Sequence, residues 1–73
     1  MSPRLPALKP YEVIRILLSM GFVFHRQKGS HKIFVKNHLL VVVPEQKRDV
    51  KKGTLLNIIK GTGLTVEEFL SYR

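Results

Sequence analysis

Apolar residues recur along this chain with two different periods, and the changes of period mark out its elements. Val13, Ile16, Leu17 and Met20 stand at i, i+3, i+4 and i+7, the stripe of a helix packed on one face. Pro10 suits the first helical position, where its missing N–H costs nothing. Gly21 suits the left-handed residue just beyond the helix end. From Phe22 to Lys28 the period falls to two, with Phe22 and Phe24 on one side and Val23, His25 and Gln27 on the other. Gly29-Ser30 follows, and glycine at the first central position of a two-residue hairpin permits φ > 0, the type II′ geometry that matches strand twist. His31 to Lys36 is then a second strand. Asn37-His38 makes the next turn, because Asn tolerates φ > 0. Leu39 to Val43 is a continuous apolar run with three valines, closed by Pro44, and is a strand rather than a helix on both length and branching. Ile33, Phe34 and Val35 are all apolar, so the pattern leaves open which face of the second strand is buried.

Glu45 to Lys52 is polar and charged, a loop. Leu55, Ile58, Ile59 and Thr62 then return to helical spacing, with Gly61 and Gly63 marking the end. Thr65-Val66-Glu67-Glu68 fits a capping box, with Leu64 and Phe69 placed for a hydrophobic staple, so a short last helix should run to about Tyr72. The order helix, three strands, helix, short helix implies an α+β fold. It should be a two-layer sandwich in which helices cover one face of a three-stranded antiparallel meander and leave the other free. At 73 residues the chain is expected to be a single domain spanning 1–73. Met1 to Leu8, with two prolines and no periodicity, is expected to be a flexible N-terminal arm.

Composition narrows the partners more than the fold. Thirteen Lys and Arg against five Asp and Glu give a formal net charge of +8, which points to a polyanion, an acidic protein or an anionic surface. There is no cysteine, so disulfide scaffolds and cysteine-ligated zinc sites are excluded. No apolar run approaches the ~20 residues of a membrane helix, and no secretory signal pattern is visible. A soluble cytoplasmic protein without membrane contact is the expectation.

The cations are clustered. Arg26, Lys28, Lys32 and Lys36 lie on or beside the first hairpin, and Lys47, Arg48, Lys51 and Lys52 crowd the loop before the second long helix. If hairpin and loop become neighbours, they form a patch for phosphate contacts. The start of that helix, Lys51-Lys52-Gly53, adds unpaired backbone N–H groups, and its lysines oppose the helix dipole until an anion is bound. Solubility alone explains any one of these lysines, though not their grouping.

Of the three histidines, His31 stands apart because Lys28, Ser30 and Lys32 surround it. It could take the proton of a ribose 2′-hydroxyl or give one to a leaving 5′-oxygen, while lysines stabilise the phosphoryl charge. A histidine capping a hairpin fits the same spacing, and the local pattern leaves both open. His25, alternating on a strand, and His38, in a turn, have no comparable support. No ligand-spaced set for a metal and no phosphate-cradling glycine loop is present, and aromatic stacking platforms are thin, since Phe22, Phe24, Phe34 and Phe69 are expected in the core.

Several blocks in register resemble the HicA family of bacterial toxins. They are Leu17-Leu18-Ser19-Met20-Gly21-Phe22, Arg26-Gln27-Lys28-Gly29-Ser30-His31-Lys32-Ile33-Phe34 and Val41-Val42-Val43-Pro44. Lys52-Gly53-Thr54-Leu55-Leu56-Asn57-Ile58-Ile59-Lys60 and Gly63-Leu64-Thr65-Val66-Glu67-Glu68-Phe69-Leu70 complete the set. The resemblance implies a double-stranded-RNA-binding-domain-like fold and an mRNA interferase. It further implies metal-independent RNA cleavage without a cofactor, and a HicB-type antitoxin as protein partner. It implies that His31, in the Gly-Ser-His motif, is catalytic. Family members often carry a histidine two residues after the strand-ending proline, and here Gln46 stands in that place. On this reading Ser30 holds the turn or orients the imidazole, and Arg26, Lys28, Lys32, Lys51 and Lys52 bind phosphate. The alternatives are a non-catalytic RNA-binding module with the same basic surface, and a subunit that docks an acidic protein. No small-molecule ligand is expected.

Overall fold

All the elements that the periodicity marks out are present in the computed structural model, which describes residues 5–73. In chain order they are α1 (Pro10–Ser19), β1 (Val23–Lys28), β2 (His31–Lys36), β3 (Leu39–Pro44), α2 (Lys52–Thr62) and α3 (Val66–Ser71). The strands form one open antiparallel sheet in the order β1-β2-β3. The fold is therefore α+β, a helix and a meander followed by two helices, consistent with a double-stranded-RNA-binding-domain-like arrangement. Among the described residues no helix is long and apolar enough to cross a membrane.

The terminators act as their chemistry dictates. φ is +104° at Gly21 and +79° at Gly63, the left-handed positions that close α1 and α2. Gly61, expected at the end of α2, lies inside it. A Cβ there would stand 3.3 Å from Val41 Cγ2 and 3.5 Å from the Leu40 carbonyl, so this glycine lets α2 seat closely on β3. The capping box of α3 is complete: Glu68 N–H donates to Thr65 Oγ1 at 3.1 Å and Thr65 N–H to Glu68 Oε1 at 2.9 Å. The staple residue Phe69 is fully buried.

Between β1 and β2, φ is positive at Gly29 (60°) and not at Ser30, the sign pattern of a type II′ turn. Going back from that turn, Lys28 pairs with His31, Gln27 with Lys32 and Arg26 with Ile33. The next pair, however, is Phe24 with Phe34. His25 is thus an extra residue, a β-bulge. It corrects the simple alternation expected for this strand. Gln27 shares a face with Phe24 and Phe34, whereas Arg26 and Lys28 join the face of Val23, Ile33 and His31.

The ambiguity in β2 resolves in favour of Phe34, which is buried with Val41 and Val43 beneath the helices, while Ile33 and Val35 are half-buried on the opposite face. Both long helices pack over β3. The β1 side of the helical face is left open, and Phe24 lies edge-on to Phe34 there with ring centroids 5.8 Å apart. The predicted stripe of α1, Val13, Ile16, Leu17 and Met20, is buried throughout.

Of the expected N-terminal arm, residues 1–4 lie outside the described residues. Its other end is held: Leu8 is fully buried, and its carbonyl accepts a 2.8 Å hydrogen bond from Val50 N–H. A single aliphatic side chain has no periodicity of its own, yet burying it ties the segment before α1 to the loop before α2. Truncation of a fully buried leucine removes its transfer energy and leaves a cavity. Leu8→Ala should therefore lower stability by about 2–5 kcal/mol, read as a lower urea midpoint at unchanged slope.

Candidate functional site

His31 is the first residue of β2, held between Lys28 of β1 and Pro44 of β3 as its cross-strand neighbours. Just past the strand ends, Glu45 N–H donates to the Ser30 carbonyl at 2.6 Å, which seats the start of the following loop beside the Gly29-Ser30 turn. The imidazole is exposed and, among the described residues, makes no hydrogen bond. It faces a cleft of about 520 Å³ between β3 and α2.

The strand-side wall of the cleft is Leu40, Val42, Pro44 and His31. The opposite wall comes from the loop, through Gln46, Arg48 and Lys51, and from α2, through Thr54, Asn57 and Gly61. Thr54, Asn57 and Gly61 follow helical spacing, so one face of α2 presents them together. Arg48 was singled out by the sequence as one of the clustered cations of the loop, whereas Thr54 and Asn57 were not. Their spacing was legible, but nothing in a linear pattern says that this face of α2 meets His31. Gln46 Nε2 donates to the carbonyls of Asp49 (2.8 Å) and Arg48 (3.3 Å), so this side chain folds the loop back on itself. That turn presents Arg48 to the cleft.

The residues expected to bind phosphate divide into two groups. Lys28 and Arg26 lie on the face of His31, because the bulge at His25 puts them there. Lys51 lines the cleft with it. These cations flank His31 from both sides, Lys28 and Arg26 across β1 and Arg48 and Lys51 across β3. Lys32 belongs to the opposite face. It pairs with Val43 in register, and its Nζ lies 3.4 Å from Glu45 Oε1. Adjacent strand residues point to opposite sides, so Lys32 and His31 are not brought together. Lys52 faces a separate small groove with Leu5, Ala7 and Leu55. Lys36 is engaged elsewhere: Nζ donates to the Met20 carbonyl at 2.6 Å, a cation at the C-terminus of α1. Ser30 contributes its backbone carbonyl to the loop contact, and its hydroxyl makes no hydrogen bond among the described residues.

His25 occupies the bulge and His38 the β2–β3 turn, both exposed and neither lining the cleft. The start of α2 carries no side-chain cap and no acidic residue in its first turn, so its N-terminal N–H groups and Lys51 favour an anion. The arrangement is a single exposed imidazole set in a row of cations, beside a cleft with a charged end and an uncharged end.

The family model described as the HicA toxin of bacterial toxin-antitoxin matches residues 11–64 of the chain. The match spans α1, the whole sheet and α2, and so includes the histidine and both walls of the cleft. No curated protein matches the chain.

An exposed side chain with no internal partner contributes little to folding. His31→Ala should therefore change unfolding free energy by no more than about 0.5 kcal/mol, measured by urea denaturation beside the wild type.

Proposed function

The chain belongs to the HicA family of toxins of bacterial toxin–antitoxin systems, and we propose that it acts as an endoribonuclease whose catalytic residue is His31. The observation that carries this reading is the exposed imidazole lying between two groups of cations on one face, Arg26 and Lys28 on one side and Arg48 and Lys51 on the other. An RNA strand crossing that face has its phosphates beside the cations and a ribose 2′-hydroxyl beside His31.

Ribose supplies its own nucleophile. The 2′-oxygen bonds to phosphorus as the bond to the 5′-oxygen breaks, leaving a 2′,3′-cyclic phosphate and a 5′-hydroxyl. His31 takes the 2′-hydroxyl proton or supplies the proton that the 5′-oxygen needs, and water exchanges the other. The phosphoryl charge that grows in the transition state is stabilised by the neighbouring cations, Lys28 and Lys51 foremost. With one imidazole moving one of the two protons and the cations holding the phosphoryl charge, no metal is required by this chemistry. Cleavage of mRNA would arrest translation, and a HicB-type antitoxin that covered the cleft and the open sheet face would block both binding and catalysis.

Two measurements test this. Positioned acid–base groups contribute about 10²- to 10⁴-fold. His31→Ala should lose growth arrest and slow cleavage of total RNA by that factor while still binding RNA. A variant that degrades RNA as fast as wild type removes His31 from catalysis, and a wild type that binds RNA but never cuts it makes the protein a binding module. Each phosphate contact on a single strand adds about 0.7 to the slope of log affinity against log salt. Arg48→Ala with Lys51→Ala should therefore flatten that slope by about 1.4, whereas Lys32→Ala, on the other face, should leave it unchanged.

A further inference from the structure

We propose that the end of the cleft away from His31 is a subsite for one nucleobase of single-stranded RNA, with the Asn57 side-chain amide reading the edge of that base. The proposal rests on the endoribonuclease reading above and adds to it a source of sequence preference.

The two ends of the cleft differ in chemistry because of how its walls run. β3 passes from Leu40 toward Pro44, which is the neighbour of His31. α2 returns alongside in the opposite direction, since Gly61 sits against Leu40 and Val41 while Lys51 stands ten residues earlier, about 15 Å along the axis. At the His31 end the cleft carries Arg48 and Lys51. At the Gly61 end it carries Leu40, Val42 and Asn57, with no charge. Phosphate fits the first end and a flat, neutral heterocycle the second. From Lys51 to Asn57 is a rise of about 9 Å, a span that one nucleotide covers from backbone to base edge.

Leu40 and Val42 are 55% and 38% exposed, an apolar floor on which a base can lie. The absence of a side chain at Gly61 keeps the far end low, because a Cβ there would already press on Val41 at 3.3 Å. Above this floor the Asn57 amide is exposed and, among the described residues, makes no hydrogen bond. By contrast, the nearby Gln46 amide is engaged with two loop carbonyls. A primary amide offers an acceptor and a donor side by side. That pair matches a base presenting an amino donor next to a ring acceptor, as adenine and cytosine do, and adenine is the base that Asn pairs with through two hydrogen bonds in duplex recognition. A single strand exposes these edges, whereas a duplex of A-form RNA hides them.

The test is to cut a random-sequence single-stranded RNA pool with the purified full-length protein and sequence the new ends. Wild type should favour adenine or cytosine at one fixed position beside the cut. Asn57→Ala should flatten that preference by roughly 5- to 150-fold, the range of one bidentate base contact, with the preferences at other positions retained. Asn57→Asp, an acceptor without the donor, should shift the same position toward guanine, whose edge presents two adjacent donors. A wild type with no positional preference, or an Asn57→Ala protein with the wild-type preference at every position, overturns the base subsite and leaves the endoribonuclease reading standing. Asn57→Ala losing affinity for an antitoxin while keeping its cutting preference assigns this face to a protein and also overturns it. If folded wild-type protein cuts no RNA, the endoribonuclease reading fails and the subsite fails with it.

Discussion

The candidate site depends first on a constraint of extended backbone: neighbouring side chains on a strand point to opposite faces. His31 and Lys32 are adjacent in sequence and for that reason serve different surfaces. Lys32 turns toward the helices and meets Glu45, while His31 faces the cleft. The same rule would have sent Arg26 and Lys28 to the helical face along with Phe24. One extra residue at His25 reverses the alternation and returns both cations to the face of the histidine. A bulge at an edge strand also interrupts its row of free backbone groups, which suits an exposed edge. The charge arrangement around His31 is thus a consequence of register.

The second determinant is the approach of α2 to β3. Glycine at position 61 allows backbone contact at one end of the helix, and from there the two elements form the walls of the cleft. At the other end the loop is shaped by the Gln46 amide, which bonds the carbonyls of Arg48 and Asp49 and so orients Arg48. Lys9, just before α1, reinforces this loop, with Nζ 3.5 Å from Asp49 Oδ1 and 3.2 Å from the Lys47 carbonyl. Both contacts are exposed, so their weight lies in positioning more than in stability. Gln46 therefore has a structural role here, and it lines the cleft together with Arg48.

Local physics was written plainly in the residues. The 3.6-residue stripe of α1, the glycines at 21, 29 and 63 and the Thr65–Glu68 box each act within a few positions of themselves, and each is found as expected. So is the order of elements, because short turns between strands leave an antiparallel meander as the simple solution. The Gly-Ser-His turn is likewise local, and it delivers His31 to the head of β2.

What the residues alone did not determine is everything that depends on which elements touch. The bulge at His25 is a property of two paired strands, and neither strand's own pattern contains it. Burial of Leu8, the closeness of Gly61 to β3 and the meeting of Asn57, Arg48 and Lys51 with His31 all join parts of the chain far apart in sequence. The sequence by itself determined the elements, their ends and the position of the histidine, because propensity and periodicity are short-range. Tertiary packing decided which cations accompany that histidine, because the face a side chain occupies is set by the register of its partner strand.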